Sequence, residues 1–208
     1  MPRLSRSEWY DLTRDMNWDL SYITEDEAFP PTLSNSFGVP AHDWWVWDEP
    51  YKITYTEYVH NQAGKDAGVY SVNNVLNRSH IFDNLKPGWK AAVIAHYGAI
   101  AVAEYQAGIG EARMGRFGRA AAWRNMATYG TLDETRHGQL QTYIPYQALA
   151  KEPRLDWAHK AYHTNEWGII AARHLFDDMF TANDAVSTAI QLTFTFETGF
   201  TNLQFLGM

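Results

Sequence analysis

The 208-residue chain carries 17 Lys and Arg against 24 Asp and Glu; its formal net charge of −7 argues against a general nucleic-acid binder, which needs a basic face to neutralise phosphates. Hydrophobic residues make up 46% and charged residues 20%, the balance of a globular chain with a sizeable core. With no cysteine the chain holds no disulfide, zinc–thiolate site, iron–sulfur cluster or thiol nucleophile, so any metal must be bound by His and carboxylate.

The opening "MPRLSRSEWYDLTR" has no apolar core region of a signal peptide, and a cytoplasmic location is expected. Residues 1 to about 60 lack steady periodicity. Pro30, Pro31, Pro40 and Pro50 break any long helix, and Trp44, Trp45 and Trp47 need a surface to bury them. This stretch reads as an ordered, irregular, aromatic-rich arm. From 61 to 208 the pattern is helical, and the whole chain, 1–208, is expected to form a single domain.

"EYVHNQAGKDAGVYSVNNVLNRSH" accommodates one helix. Pro87-Gly88 opens a long one, running to about Arg116, with Pro near the start as helices prefer. Another spans about Ala120 to Leu149, with Pro145 expected to kink or shorten it. "EPRLDWAHKAYHTNEWGIIAARHLFDDMF" reads as a third long helix. "NDAVSTAIQLTFTFETGFTNLQFLG" reads as a fourth, capped by Asn183 or Asp184. Within it "LTFTFETGF" alternates like a strand, but the flanking apolar pattern favours helix. The apolar stretch "AAVIAHYGAIAVAEYQAGIG" carries His96 and Glu104, which would be costly in a membrane span, so no membrane association is expected. Long helices joined by short loops imply an all-α antiparallel bundle.

Within "LDETRHGQLQ", Glu134 and His137 lie three apart and share a helix face, so one metal ion could take an oxygen and a nitrogen from them. Alone, Glu-x-x-His is a weak motif. Glu104 adds weight, because it interrupts an apolar stripe containing Ile100 and Ala107 on the preceding helix. Such a carboxylate must be protonated, metal-bound or paired, for instance with Arg113 or Arg136. Glu197 interrupts the apolar face of the last helix in the same way. Ferritin-like carboxylate proteins build a di-iron site from a single Glu on each of two helices and a Glu-x-x-His on each of two others. Here both single Glu residues and one pair are present. A cut ahead of the second pair is the simpler reading of its absence. A non-catalytic or iron-storage ferritin-like bundle is the alternative.

At these residues the chain resembles the N-terminal part of the large (alpha) subunit of bacterial multicomponent di-iron monooxygenases, with the toluene/o-xylene monooxygenase hydroxylases as the nearest branch. "EWYDLTRDMNW", "DEPYKITYTEYV", "HYGAIAVAEY", "RNMATYGTLDETRHGQLQ" and "FETGFTNLQFLG" carry the resemblance. It implies a ferritin-like bundle with two Fe ions and neither haem nor an iron–sulfur cluster in this chain. Glu104, Glu134 and His137 would bind one iron, and Glu197 the second, whose remaining Glu/His pair is expected beyond residue 208. Thr201 would supply protons during oxygen reduction, and Asp133 and Arg136 would orient the ligating imidazoles. Ile100, Ala103, Ala107, Gln141, Phe176, Phe180, Leu192, Phe196 and Phe205 would line an apolar substrate pocket. Ala103 and Phe180 depart from the Gly and Ile of the commonest toluene-oxidising pattern. The implied activity is O2-dependent hydroxylation of toluene-like aromatics or epoxidation of alkenes. The implied partners are beta and gamma subunits, a small effector protein, a ferredoxin and an NADH-dependent reductase.

Overall fold

The computed structural model of the protein describes residues 3–14, 22–34 and 52–202. Three short helices, α1 (Arg6–Arg14), α2 (Glu25–Ala28) and α3 (Pro31–Ser34), precede the body. The body is built from α4 (Tyr55–Arg78), α5 (Ile81–Asn84), α6 (Pro87–Phe117), α7 (Ala121–Lys151), α8 (Trp167–Thr181) and α9 (Ala185–Ala189). It ends in a π-helical segment, Ile190–Thr201. The described residues contain no strand, in agreement with the all-α expectation. Trp44, Trp45 and Trp47 lie outside the described residues.

Helices α6 and α7, of 31 residues each, form the central pair and run about 46 Å at 1.5 Å per residue. Only residues 118–120 connect them, which forces an antiparallel return. Gly118 makes that turn possible. A Cβ there would lie 2.8 Å from both the Met114 carbonyl and the Trp123 ring. Pro145 does not end α7, which continues to Lys151. Proline removes only one intrahelical donor, the one the Gln141 carbonyl would have used, and packing against α6 carries the helix across the gap.

The third expected helix is broken. Pro153–Leu155 and Ala158–His163 form tight 3₁₀ turns, and only Trp167–Thr181 is α-helical. Tertiary contacts explain the break. Buried Tyr162 hydrogen-bonds Gln106 on α6, and Arg173 donates to the carbonyls of Tyr162 (2.6 Å) and Thr164 (2.8 Å). These bonds replace the ones a continuous helix would make.

Asp184 caps the last helix as expected, accepting from the Ser187 amide at 2.8 Å. After α9 the chain widens into i→i+5 register: the Asn202 amide bonds the Glu197 carbonyl, and the Thr198 hydroxyl donates to the Thr193 carbonyl at 2.9 Å. Leu192, Phe196 and Thr201 are buried, at spacings of four and five, because a π turn holds more residues than the 3.6 of an α turn. The apolar stripe expected around Glu197 is therefore rearranged: Ile190 and Phe194 face outward, and Phe194 is 68% exposed. The main core packs Ala103, Ala107 and Met114 of α6 against Phe176 and Met179 of α8 and Leu192 and Phe196 of the π segment.

The α6–α7 turn also clasps the N-terminal segment. Buried Arg119 donates to Ser34 (2.9 Å), Glu25 (3.1 Å), Asp26 (3.3 Å) and the Phe29 carbonyl (3.0 Å). Arg116 bonds the Ala28 carbonyl at 2.9 Å, and the Arg124 guanidinium stacks over Phe29. Arg119→Ala should free residues 22–34 and cost roughly 1–3 kcal/mol, since several charge-assisted hydrogen bonds go at once. Limited proteolysis should then cut this segment faster than in the wild type. An unchanged cleavage rate and melting temperature would show that the clasp contributes nothing.

Candidate metal centre

Glu104 lies near the middle of α6 and faces Glu134 and His137 on α7 across the helix interface. Their ligating atoms all fall within 4.8 Å of one another, the one such cluster of His and carboxylate groups among the described residues. His137 Nδ1 is 3.7 Å from Glu104 Oε2 and 3.8 Å from Glu134 Oε2. Both oxygens are buried without a hydrogen-bond partner. Neither Arg113 nor Arg136 pairs with Glu104. Arg113 donates to the carbonyls of Met179, Phe180 and Ala182, and Arg136 to Asp66 and Asp133. The other Glu104 oxygen accepts from the Gln141 amide, so Gln141 steadies this carboxylate.

The electrostatics show what the cluster lacks. Burial and the neighbouring Glu104 push the Glu134 carboxyl up to about 9, although His137 pulls the other way. Burial also disfavours ionised Glu104, but His137 and Gln141 outweigh it and keep this carboxyl below its ordinary value. Glu104 and then Glu134 raise the His137 imidazole. Two carboxylates in a dry groove cannot both stay charged without a cation between them. Partnerless buried oxygens, a facing imidazole nitrogen and hard, negatively charged donors fit a divalent metal such as iron.

Asp133 and Arg136 sit behind the imidazole. Asp133 Oδ1 accepts from the Tyr58 hydroxyl (3.0 Å) and from Arg136 (3.3 Å), and Arg136 also pairs with Asp66 at 2.7 Å. The Nη2 of Arg136 lies 3.0 Å from His137 Nε2. A guanidinium has only protons to offer, so this contact needs the Nε2 lone pair and leaves the ring proton on Nδ1, between the carboxylates. A metal on Nδ1 would displace that proton, leave Nε2 as a donor, and oblige Arg136 to withdraw.

Glu197 comes from the π segment and lies outside the three-residue cluster. One of its oxygens is buried without a partner, and burial, then Glu104, pushes the carboxyl up to about 7. Thr201 is buried and its hydroxyl also lacks a partner. Of the residues expected around the pocket, Ile100, Ala103, Ala107, Gln141, Phe176, Leu192 and Phe196 are all buried. Phe176 and Phe196 meet edge to face at 4.8 Å. Phe180 stands at the surface, 37% exposed, and Phe205 lies outside the described residues. A cavity of about 530 Å³ lies between α6, the 158–163 turn and α8, with His96, Ile100, Ala103, Tyr162 and Phe200 in its wall. Of the described residues expected around the pocket, Ile100 and Ala103 reach it, whereas Ala107, Phe176, Leu192 and Phe196 pack against one another as core.

Sequence reasoning passed over Glu111. It stands two turns beyond Glu104 on α6, and its carboxyl fills the notch left by Gly130 on α7, where a Cβ would lie 2.5 Å from Cδ. Burial, then the charges of Glu197 and Asp133, push it up to about 7. The seven-residue spacing from Glu104 was the available signal. Tyr58 and Asp66 were also missed, because nothing in the sequence brings α4 beside α7.

Two pH effects follow. In the metal-free chain the cluster holds protons that a metal must displace, so apparent affinity for Fe(II) or Co(II) should rise between about pH 6 and 9, by up to about tenfold per unit for each proton released. A flat titration would contradict the cluster as ligand set. For Glu111 the native state binds its proton more tightly than the unfolded chain, so stability is lost as pH rises from about 4.5 through about 7. Glu111→Gln should therefore gain on the order of 1–2 kcal/mol relative to wild type between pH 5 and 8 in urea unfolding. Parallel stability curves would refute this.

A profile of the methane/phenol/alkene hydroxylases matches residues 18–208. The chain is 38% identical, over its full length, to the alpha subunit of the oxygenase component of an alkene monooxygenase system from Xanthobacter autotrophicus, of which it spans 42%. It is 28% identical, over 94% of its length, to the oxygenase component DmpN of a phenol 2-monooxygenase from Pseudomonas sp. strain CF600, of which it spans 37%. The crystal structure of a xenon-pressurised phenol hydroxylase from Pseudomonas sp. OX1 superposes with a TM-score of 0.62 at 24% identity, covering 87% of this chain and 36% of that one. The structural likeness is one of fold; the chain spans about two fifths of the curated relatives it matches, and the sequence match over residues 18–208 shows that it belongs to the methane/phenol/alkene hydroxylase family.

Proposed function

We propose that this chain is the N-terminal part of the alpha subunit of an O2-dependent, carboxylate-bridged di-iron monooxygenase that epoxidises small alkenes or hydroxylates toluene-like aromatics. The observation that carries the reading is the Glu104, Glu134 and His137 cluster, with two buried carboxylate oxygens that have no partner except a cation. A bundle that binds no metal would have no reason to bear the cost of that burial. The relative named for alkene oxidation is the more similar of the two reported; the relative named for phenol oxidation supports an aromatic substrate, while Ala103 and Phe180 depart from the toluene-oxidising pattern.

Glu104, Glu134 and His137 would hold one iron and Glu197 would serve the second, completed by a Glu and a His outside the described residues. Bound iron would supply the reduction of O2 with electrons delivered by a partner protein. The chain's own residues do the rest. Gln141 holds Glu104 in place through its amide. Phe176, Phe196, Leu192, Ala103 and Ala107 form a packed apolar core, and the opening of space among them for an apolar substrate is part of this reading. Thr201 keeps a buried hydroxyl with no competing partner, so its proton is available one short turn from Glu197. With no cysteine, the chain has no iron–sulfur centre of its own. Electrons would then come from a ferredoxin fed by an NADH-dependent reductase, and the same reading includes beta and gamma subunits, an effector and a cytoplasmic location.

Glu134→Ala or His137→Ala in the complete subunit should abolish product formation and lower bound iron, while circular dichroism keeps the helical signal. Wild-type yield of epoxide or phenol from either variant would refute the ligand assignment.

A further inference from the structure

We propose that Tyr58 and Tyr129 form a redox relay that draws oxidising equivalents away from the metal centre when no hydrocarbon is bound. The inference rests on the monooxygenase reading above. An oxidant able to attack an alkene or an arene will attack its own protein if the substrate is missing. The chain has no cysteine, so phenol and indole rings are its most readily oxidised side chains apart from methionine.

Tyr58 is placed for this role. It is buried on α4, and its hydroxyl donates to Asp133 at 3.0 Å. From Asp133 the contacts continue to Arg136 (3.3 Å) and from Arg136 to His137 Nε2 (3.0 Å). In the metal-free chain a polar chain thus joins a buried phenol to the imidazole; with a metal on Nδ1, when Arg136 withdraws from Nε2, the link that persists is Asp133 itself, next in sequence to Glu134. On its far side the Tyr58 ring stacks on half-buried Tyr129, with centroids 4.7 Å apart and planes 23° from parallel.

A neutral phenol gives up an electron readily only if its proton leaves at the same time, and Asp133 is the acceptor within reach. In the step, one electron passes from Tyr58 to the oxidised centre, the phenolic O–H bond breaks, and the proton binds Asp133 Oδ1. Tyr58 becomes a neutral radical and the centre is reduced by one electron. Tyr129 then returns an electron across the stack, Asp133 returns the proton to Tyr58, and Tyr129 releases its own proton to water. A soluble reductant such as a thiol finally restores Tyr129. A purely structural hydrogen bond would use Tyr58 to brace Asp133 and nothing more.

The test is made on the whole iron-loaded hydroxylase, reduced, mixed with O2 without hydrocarbon and frozen within milliseconds. The wild type should show a radical signal in electron paramagnetic resonance that narrows with ring-deuterated tyrosine. Tyr58→Phe keeps the ring and the stack but not the hydroxyl. It should bind the same iron, lose the signal, and accumulate several-fold more oxidised side chains near residues 104–137 per O2 consumed, as read by peptide mass spectrometry. Tyr129→Leu should keep the signal and lengthen its life. If the wild type consumes O2 but shows no tyrosyl signal, or if Tyr58→Phe is no more damaged, the relay is wrong and the monooxygenase reading stands. If the wild type binds no iron and consumes no O2, that reading fails and the relay falls with it.

Discussion

Two buried carboxylates facing a half-exposed imidazole between α6 and α7 set the main constraint on this structure. Burial makes Glu104 and Glu134 costly unless their charge is answered, and no arginine answers it. The surrounding structure serves that constraint. The tight turn at Gly118 brings α6 and α7 back antiparallel, and Gln141 donates to one Glu104 oxygen while the other has no hydrogen-bond partner.

The π-helical segment is the second device. A wide turn is a poor choice for stability alone, because its hydrogen bonds are longer-range and its register is seldom populated. Here it buries Leu192, Phe196 and Thr201 while bringing Glu197 close enough to Glu104 and His137 for their charges to be felt. Local energy is given up for the position of one carboxylate and one hydroxyl.

Helix α4 supplies a layer behind the ligands. Tyr58 and Asp66, two turns apart, hold Asp133 and Arg136, which in turn bear on the far side of His137. The imidazole is therefore set from two sides, by carboxylates that favour its protonated form and by a guanidinium that favours the neutral one. That opposition makes the ring sensitive to what binds at Nδ1.

Spacing and burial cost, read from the sequence alone, were enough to place Glu104, Glu134 and His137 on facing helices, to predict an all-α chain, and to narrow the last cap to Asn183 or Asp184, of which the structure uses Asp184. These depend on helical periodicity and on the price of an unpaired carboxylate, both of which are local. Glu111 in its Gly130 notch, the reach of Tyr58 across to Asp133, the break after Lys151 and the outward turn of Phe180 were decided only by tertiary structure. Each depends on which helix lies beside which, and for Glu197 on a change of helical register that no single residue type announces. A one-residue shift in turn width moves every later side chain to a new face, so the last helix was legible as a helix but not in what it buries.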